Sequence, residues 1–342
     1  MTKRDFLSFA ATAMIAMTST PAWGDRIRIL PSDRDPTPAA PTNALSPELR
    51  RVLAGVRVGP AQVHGALVVV WLRARPASSS PEIATLDEAR GAGDLLITER
   101  AQATVPGLIV DNRGKRSVLL LAGEILVGGK QNRVVTEDVL LPPLSGPRDL
   151  TVYCVEQGRW SASAAKFDAR GGFAAPGLRA KVMERADQRS VWSAVSSYAT
   201  RAAAPSPTAS YQAIYDNPEV KERQHAAERA FDHRTVPDVA GAAVFVGSTL
   251  SGLDLFEDSR LFGRQWVKLL RAQVLESYGQ PPAPADLGRL TQQVEELLRR
   301  WAKVEGSLKP SVGLGQLFEV RFDRHRGSAL VSANQVVHAA LL

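Results

Sequence analysis

The densest run of chemically capable side chains lies between Gly123 and Arg133, where Glu124, Lys130, Gln131, Asn132 and Arg133 are interleaved with three glycines. Glycine admits left-handed backbone and close approach of a ligand or a second strand. The amide and cationic donors suit phosphate, carboxylate or amide oxygens, and Glu124 could serve as a general base. The same residues could equally form a solvated loop, or an internal network with Glu124 paired to Arg133 or Lys130. A Walker-type phosphate loop is set aside, because Lys130 comes one residue late and Gln131 stands where a magnesium-binding Ser or Thr belongs.

A second run, Cys154-Val155-Glu156-Gln157-Gly158-Arg159-Trp160, closes an apolar strand. Alternation puts Cys154 and Glu156 on one face. No histidine stands near enough in sequence to activate the thiol, and a neighbouring carboxylate raises its pKa, so Cys154 reads as an inert apolar residue. Glu156 is the better candidate for a general base or a structural anchor. Arg159 and Trp160 could stack on a base or sugar, or cap the core through a cation–π contact. Asp254 lies between Leu253 and Leu255, where a charge needs a partner or a function. His338 follows Val337 in the last strand and reads first as a hydrogen-bonded histidine. The catalytic candidates are thus Glu124 and Glu156. The ligand-binding candidates are Lys130, Gln131, Asn132, Arg133, Arg159, Trp160, Asp254 and His338.

Other chemistries are set aside by absence of pattern. The chain has no G-x-S-x-G elbow, no H-E-x-x-H and no G-x-G-x-x-G after a strand. One cysteine excludes a disulfide framework and a Cys-cluster metal site, and five scattered histidines do not suggest a zinc centre. Neither a metal nor a cofactor is expected. The formal charge of +7 is spread among both signs, without a Lys/Arg stripe interleaved with aromatics, so nucleic acid is not an expected partner. A mildly basic surface instead suits an anionic small molecule or lipid headgroups.

These candidates must be held by an α+β fold. The 342 residues, 44% of them hydrophobic, are enough for a substantial core. Apolar, β-branched runs at 66–73, 95–99, 108–112, 117–121, 134–141 and 150–155 predict a β-rich sandwich or partial barrel over about 52–156. A helix is expected over 177–200 and another over 218–231, followed by strands at 242–246 and 253–256. Phe262, Trp266, Leu269, Leu270 and Val274 predict one amphipathic helix, and Leu287, Leu290, Val294, Leu297, Trp301 and Val304 a cleaner one. Residues 316–321 and 329–339 are expected to pair as a closing hairpin that returns to the first sheet.

The first 24 residues have the pattern of a signal peptide: Lys3 and Arg4, an apolar stretch to Met17, then small Ala22 and Gly24 before a cleavage point at Asp25. Either the general or a twin-arginine-like export route fits, and the mature protein is expected in the periplasm or outside the cell. Five prolines between Pro31 and Pro47 predict an extended spacer over 25–51. A single domain is expected over 52–342, with no later run apolar enough to span a membrane.

Taken in order, the segments Thr85-Leu86-Asp87-Glu88-Ala89, 119–133, 154–160, Asp187-Gln188 with Val191-Trp192, Gly252-Leu253-Asp254-Leu255-Phe256, Val312-Gly313-Leu314-Gly315 and Gly327-Ser328-Ala329-Leu330 with Val337-His338 resemble the ARPP-1 family, the domain named for its association with ARG and rhodanese-phosphatase proteins. The resemblance covers about 52–342 and implies one large α+β domain. It places Glu124, Lys130, Gln131, Asn132, Arg133, Glu156, Arg159, Trp160, Asp254 and His338 in the family's motifs. Gly129 stands where the family pattern has alanine, and the export signal sits poorly with a cytoplasmic ADP-ribose pathway. The preferred expectation is a domain binding a nucleotide- or ADP-ribose-like anion. The alternatives are a metal-independent hydrolase using Glu124 or Glu156, with Arg133 or Lys130 stabilising an oxyanion, and a cell-envelope scaffold without catalysis.

Overall fold

Val68, Val70 and Leu72 face one apolar layer, while Leu67, Val69 and Trp71 face another, so the strand they share is buried on both sides. That strand lies at the centre of the architecture. The computed structural model describes residues 43–74, 82–104, 106–283 and 286–342; the expected signal segment, and the expected spacer as far as residue 42, lie outside the described residues.

The chain opens with β1 (Asn43–Ala44), α1 (Pro47–Gly55), β2 (Arg57–His64) and β3 (Leu67–Arg73). A β-rich stretch follows: β4 (Ile83–Thr85), α2 (Leu86–Gly91), β5 (Leu95–Thr104), β6 (Gly107–Asn112), β7 (Ser117–Leu120), β8 (Glu124–Gly128), β9 (Arg133–Val135), β10 (Val139–Leu141), β11 (Gly146–Cys154) and β12 (Phe167–Phe173). Four helices come next, α3 (Pro176–Met183), α4 (Gln188–Arg201), α5 (Gln212–Asp216) and α6 (Pro218–Ala230). The hairpin β13 (Val239–Val246) and β14 (Thr249–Leu255) leads into α7 (Ser259–Glu276) and α8 (Leu287–Trp301). The chain closes with β15 (Gly306–Pro310), β16 (Gln316–Phe322), β17 (His325–Ser332) and β18 (Gln335–Leu341).

A nine-stranded antiparallel sheet runs β1-β15-β16-β17-β18-β14-β13-β3-β2, so the C-terminal strands do return to the sheet begun at the N-terminus. A six-stranded sheet, β12-β8-β9-β11-β6-β5, curls until its edges meet at a Thr98–Lys166 bridge. The three-stranded sheet β10-β7-β4 packs against it to form a partial barrel around Ile97, Val110, Leu120, Leu126, Val139 and Phe167. The fold is α+β as expected. On one face of the large sheet α8 buries Leu290, Val294, Leu297, Leu298 and Trp301. On the other, α7 lies between the sheet and the barrel, its Trp266, Leu269 and Leu270 sharing a core with Trp71, Ile125, Val134 and Phe173.

Local chemistry explains where the elements break from their expected bounds. Residues 43–51, assigned to the spacer by their prolines, form β1 and half of α1: Ser46 accepts the Leu49 N–H at 3.2 Å and Pro47 occupies the first helical turn, which it favours. The helix expected over 177–200 is two helices, because Asp187 caps α4 through the Ser190 N–H and Arg185 adopts a left-handed φ of 55°. The strand expected over 134–141 divides into β9 and β10 at Asp138, whose carboxylate turns inward to accept the Ala122 N–H. The second arm of the closing hairpin divides likewise, at Ala333 and Asn334, both with positive φ, as a tight strand-to-strand turn requires.

Candidate functional site

The polar run 123–133 is not one loop. It is a hairpin, β8 and β9, with polar residues at both ends, and each end joins a different cluster. At the first end, Glu124 is fully buried, accepting the Leu121 N–H at 3.1 Å on one oxygen and Lys268 Nζ at 2.7 Å on the other. Lys268 comes from α7 and also pairs with Asp87 of α2. Glu124 therefore has Lys268 as its partner and not Arg133 or Lys130. Burial pushes the Glu124 carboxyl up to about 7, with Lys268 opposing the shift.

Beside this pair runs a second buried chain. Asp254 on β14 accepts Arg179 Nη1 at 2.7 Å and sits 3.1 Å from His338 Nε2. His338 Nδ1 is 2.6 Å from Asp138, which in turn holds the Ala122 N–H. Arg179 closes the circuit by donating to the Ala122 carbonyl at 2.8 Å and lying over the Phe173 ring. Three elements, α3, β14 and β18, and the connection between β9 and β10 are thus tied to the turn 121–124. Burial opposes the charge of Asp254, yet Arg179 and His338 outweigh it and hold the carboxyl at about 2. Burial likewise opposes protonation of His338, but Asp138 and Asp254 outweigh it and raise the imidazole.

These shifts make the stability of the fold depend on pH. Asp254, depressed from 3.8 to about 2, contributes stability that is complete above 3.8 and lost as pH falls through 2. His338 is raised above 6.5, so its contribution is complete below 6.5 and lost as pH rises through its folded value. Glu124, raised from 4.5 to about 7, acts in the same sense, losing its contribution as pH rises from 4.5 through 7. The thermal unfolding midpoint is expected to fall between about pH 5 and about pH 8, and His338→Gln to flatten that fall. An unchanged slope in the variant would remove His338 from the account.

The far end of the hairpin belongs to the third cluster. Glu156 receives the Asn132 N–H at 3.0 Å, Thr208 Oγ1 at 2.7 Å and a two-point contact from Arg159, with Nη2 at 2.6 Å and Nε at 3.0 Å. Arg159 also donates to the Gly129 carbonyl at 2.7 Å and the Ser161 carbonyl at 2.9 Å. Asn132 accepts the Gly128 N–H and donates to Ser210, while Gln131 donates to the Glu156 carbonyl. Burial opposes the Glu156 charge, but Arg159, Thr208 and Asn132 outweigh it and hold the carboxyl below its usual range. Position 128 admits nothing larger than glycine: Gly128 has φ +143°, and a Cβ there would lie 2.4 Å from the Lys166 carbonyl oxygen.

Arg133, expected to meet a ligand, is instead fully buried, donating to the Gln131 carbonyl at 2.9 Å and standing 4.0 Å from Glu99. Cys154 is buried, with its thiol donating to the Glu156 carbonyl and its backbone held on both sides by Gln188. Burial raises that thiol, as expected of an inert cysteine. Of the sequence candidates, Trp160, half exposed, and Lys130, with Nζ 5.4 Å from the Trp160 ring, face solvent most openly. The far end of 123–133 and the segment 154–160 therefore share one network, while Asp254 belongs to another, at the turn 121–124. Among the described residues no group of three His, Cys, Asp or Glu side chains could hold a metal ion.

Concave surface lies elsewhere. A cleft of about 590 Å³ is lined by Arg51, Arg57 and Arg73 with Val52, Ala54, Asp238 and Glu257, and by none of the sequence candidates. Arg51 is bound to Glu257 at 2.7 Å, and Arg73 donates to the Pro237 carbonyl at 3.0 Å, 3.8 Å from Asp238. Arg57 is exposed, and its guanidinium has no hydrogen bond or ion pair among the described residues. These arginines gave no sequence signal, since 51, 57 and 73 lie on three different elements. Lys268 and Arg179 were equally hidden, each a single charge within a helical apolar stripe.

A mixed α+β protein, with a partial barrel docked on a nine-stranded sheet and polar motifs at the junction, is the class defined by this geometry. The sequence model of the ARG and Rhodanese-Phosphatase-superfamily-associated Protein domain, ARPP-1, matches residues 55–342, and the chain belongs to that family. No curated protein and no solved structure matches it. No helix among the described residues is long and apolar enough to cross a membrane.

Proposed function

We propose that this ARPP-1 protein is an exported binding module for a phosphate-bearing anionic small molecule, of nucleotide or ADP-ribose-like chemistry, taken at the Arg51–Arg57–Arg73 cleft. The observation that carries this reading is Arg57, an exposed guanidinium with no described partner, set in one concavity with two further arginines. Guanidinium groups match phosphate oxygens in pairs, and a concave basic site concentrates anions. Binding is preferred over hydrolysis by Glu124 or Glu156 because both carboxylates are enclosed and occupied by cations, so neither can reach a substrate proton. The Lys130–Trp160 pair supports a second reading, in which Lys130 meets the phosphate and the exposed indole stacks on the ligand's base.

Titration calorimetry of residues 25–342 with pyrophosphate and with ADP-ribose tests the first reading. Binding that weakens with salt and disappears in Arg57→Ala is the expected result. The substitution is at an exposed position, so stability should change by less than about 0.5 kcal/mol and unfolding would not account for the loss. Undiminished binding in Arg57→Ala would overturn the cleft as the site.

A further inference from the structure

Lys268 is a buried ammonium in contact with two carboxylates from different elements, Asp87 on α2 and Glu124 at the start of β8. An ammonium and a carboxylate together contain the atoms of one amide and one water. Holding them in contact, with a third group able to carry protons, converts a slow intermolecular condensation into a positioned intramolecular one. The chain has a single cysteine, so it cannot close an internal disulfide.

We infer that Lys268 and Asp87 join in an intramolecular amide, with Glu124 as the proton carrier. Glu124 takes a proton from Nζ, and the neutral amine attacks Cγ of Asp87. One Asp87 oxygen receives, through Glu124, two of the ammonium protons and leaves as water. The last proton remains on the amide nitrogen. No oxidant or external reactant is required. Glu124 starts ionised and its enclosed position favours the neutral form it reaches on taking the Nζ proton, offsetting the pull of the two carboxylates that hold Lys268 charged. Asp87 is the partly exposed member, with side-chain exposure of 40%, so the released water has an exit while Lys268 and Glu124 stay enclosed. The bond would fix α2 and the barrel to α7 across the interface that carries the buried ion pairs. It is independent of the proposed anion cleft, which lies on other elements.

Peptide mapping by mass spectrometry of the unfolded, trypsin-digested chain tests this. The expected result is one cross-linked species containing Asp87 and Lys268, lighter than the two peptides by one water and uncut after Lys268. Lys268→Arg keeps the charge and is expected to yield the two peptides separately. Glu124→Gln is expected to leave the wild-type peptides unjoined. Free Asp87 and Lys268 peptides from folded wild-type protein, with trypsin cutting after Lys268, would overturn the inference. A joined species persisting in Glu124→Gln would overturn the role given to Glu124.

Discussion

Asp254→Ala is expected to destabilise the fold by about 3–5 kcal/mol, because removing one partner of a buried ion pair leaves the other uncompensated. Asp254 is the common acceptor for Arg179 at 2.7 Å and for His338 at 3.1 Å, and both of those side chains are buried. Without it, Arg179 keeps only the Ala122 carbonyl, and the imidazolium keeps only Asp138. The turn 121–124 would lose its link through Arg179 to β14 and keep the one through Asp138 to His338. The urea midpoint, with unchanged slope, measures the effect. A loss below about 1 kcal/mol, the ordinary size for a point substitution, would mean that the circuit contributes little to folding.

Glu156→Ala is expected to cost about 3 kcal/mol for the same physical reason. Its carboxylate gathers the Asn132 N–H, the Thr208 hydroxyl and the Nε and Nη2 edge of Arg159, so the turn 129–132 and the segment after β11 depend on one side chain. The direction of the effect separates two roles. A carboxylate retained for catalysis commonly leaves stability unchanged or improved when removed. One that organises a buried network lowers it. A double-mutant cycle with Arg159→Ala should show coupling between the two residues, and additivity would contradict the network.

Much of the architecture was legible because it rests on periodicity. The apolar runs at 66–73 and 108–112 and the stripe Leu290–Val294–Leu297–Trp301 became β3, β6 and α8, and the last strands returned to the first sheet. The errors fall where one polar side chain overrides a pattern: Asp138 breaks a strand, Asp187 starts a helix and Ser46 begins one inside a proline-rich stretch. The polar segments of the candidate site were also visible, but their partners were not. Glu124 finds Lys268, 144 residues away, and His338 finds Asp138, 200 residues away. Spacing along the chain carries no information about such pairs, which only the closing of the nine-stranded sheet onto the barrel creates. The arginine cleft was invisible for the same reason.

On the proposed reading, the sequence's densest polar motifs fold the protein, while the arginine cleft takes the ligand. Thermal shift with pyrophosphate, comparing Arg57→Ala/Arg73→Ala with Lys130→Ala/Trp160→Ala, tests it most directly. Saturating ligand at about 100 times its dissociation constant stabilises a protein by about 2.7 kcal/mol, a readily visible shift. The shift should vanish in the first double variant and persist in the second. Persistence in the first with loss in the second would contradict the account and return the site to the hairpin turn beside Trp160.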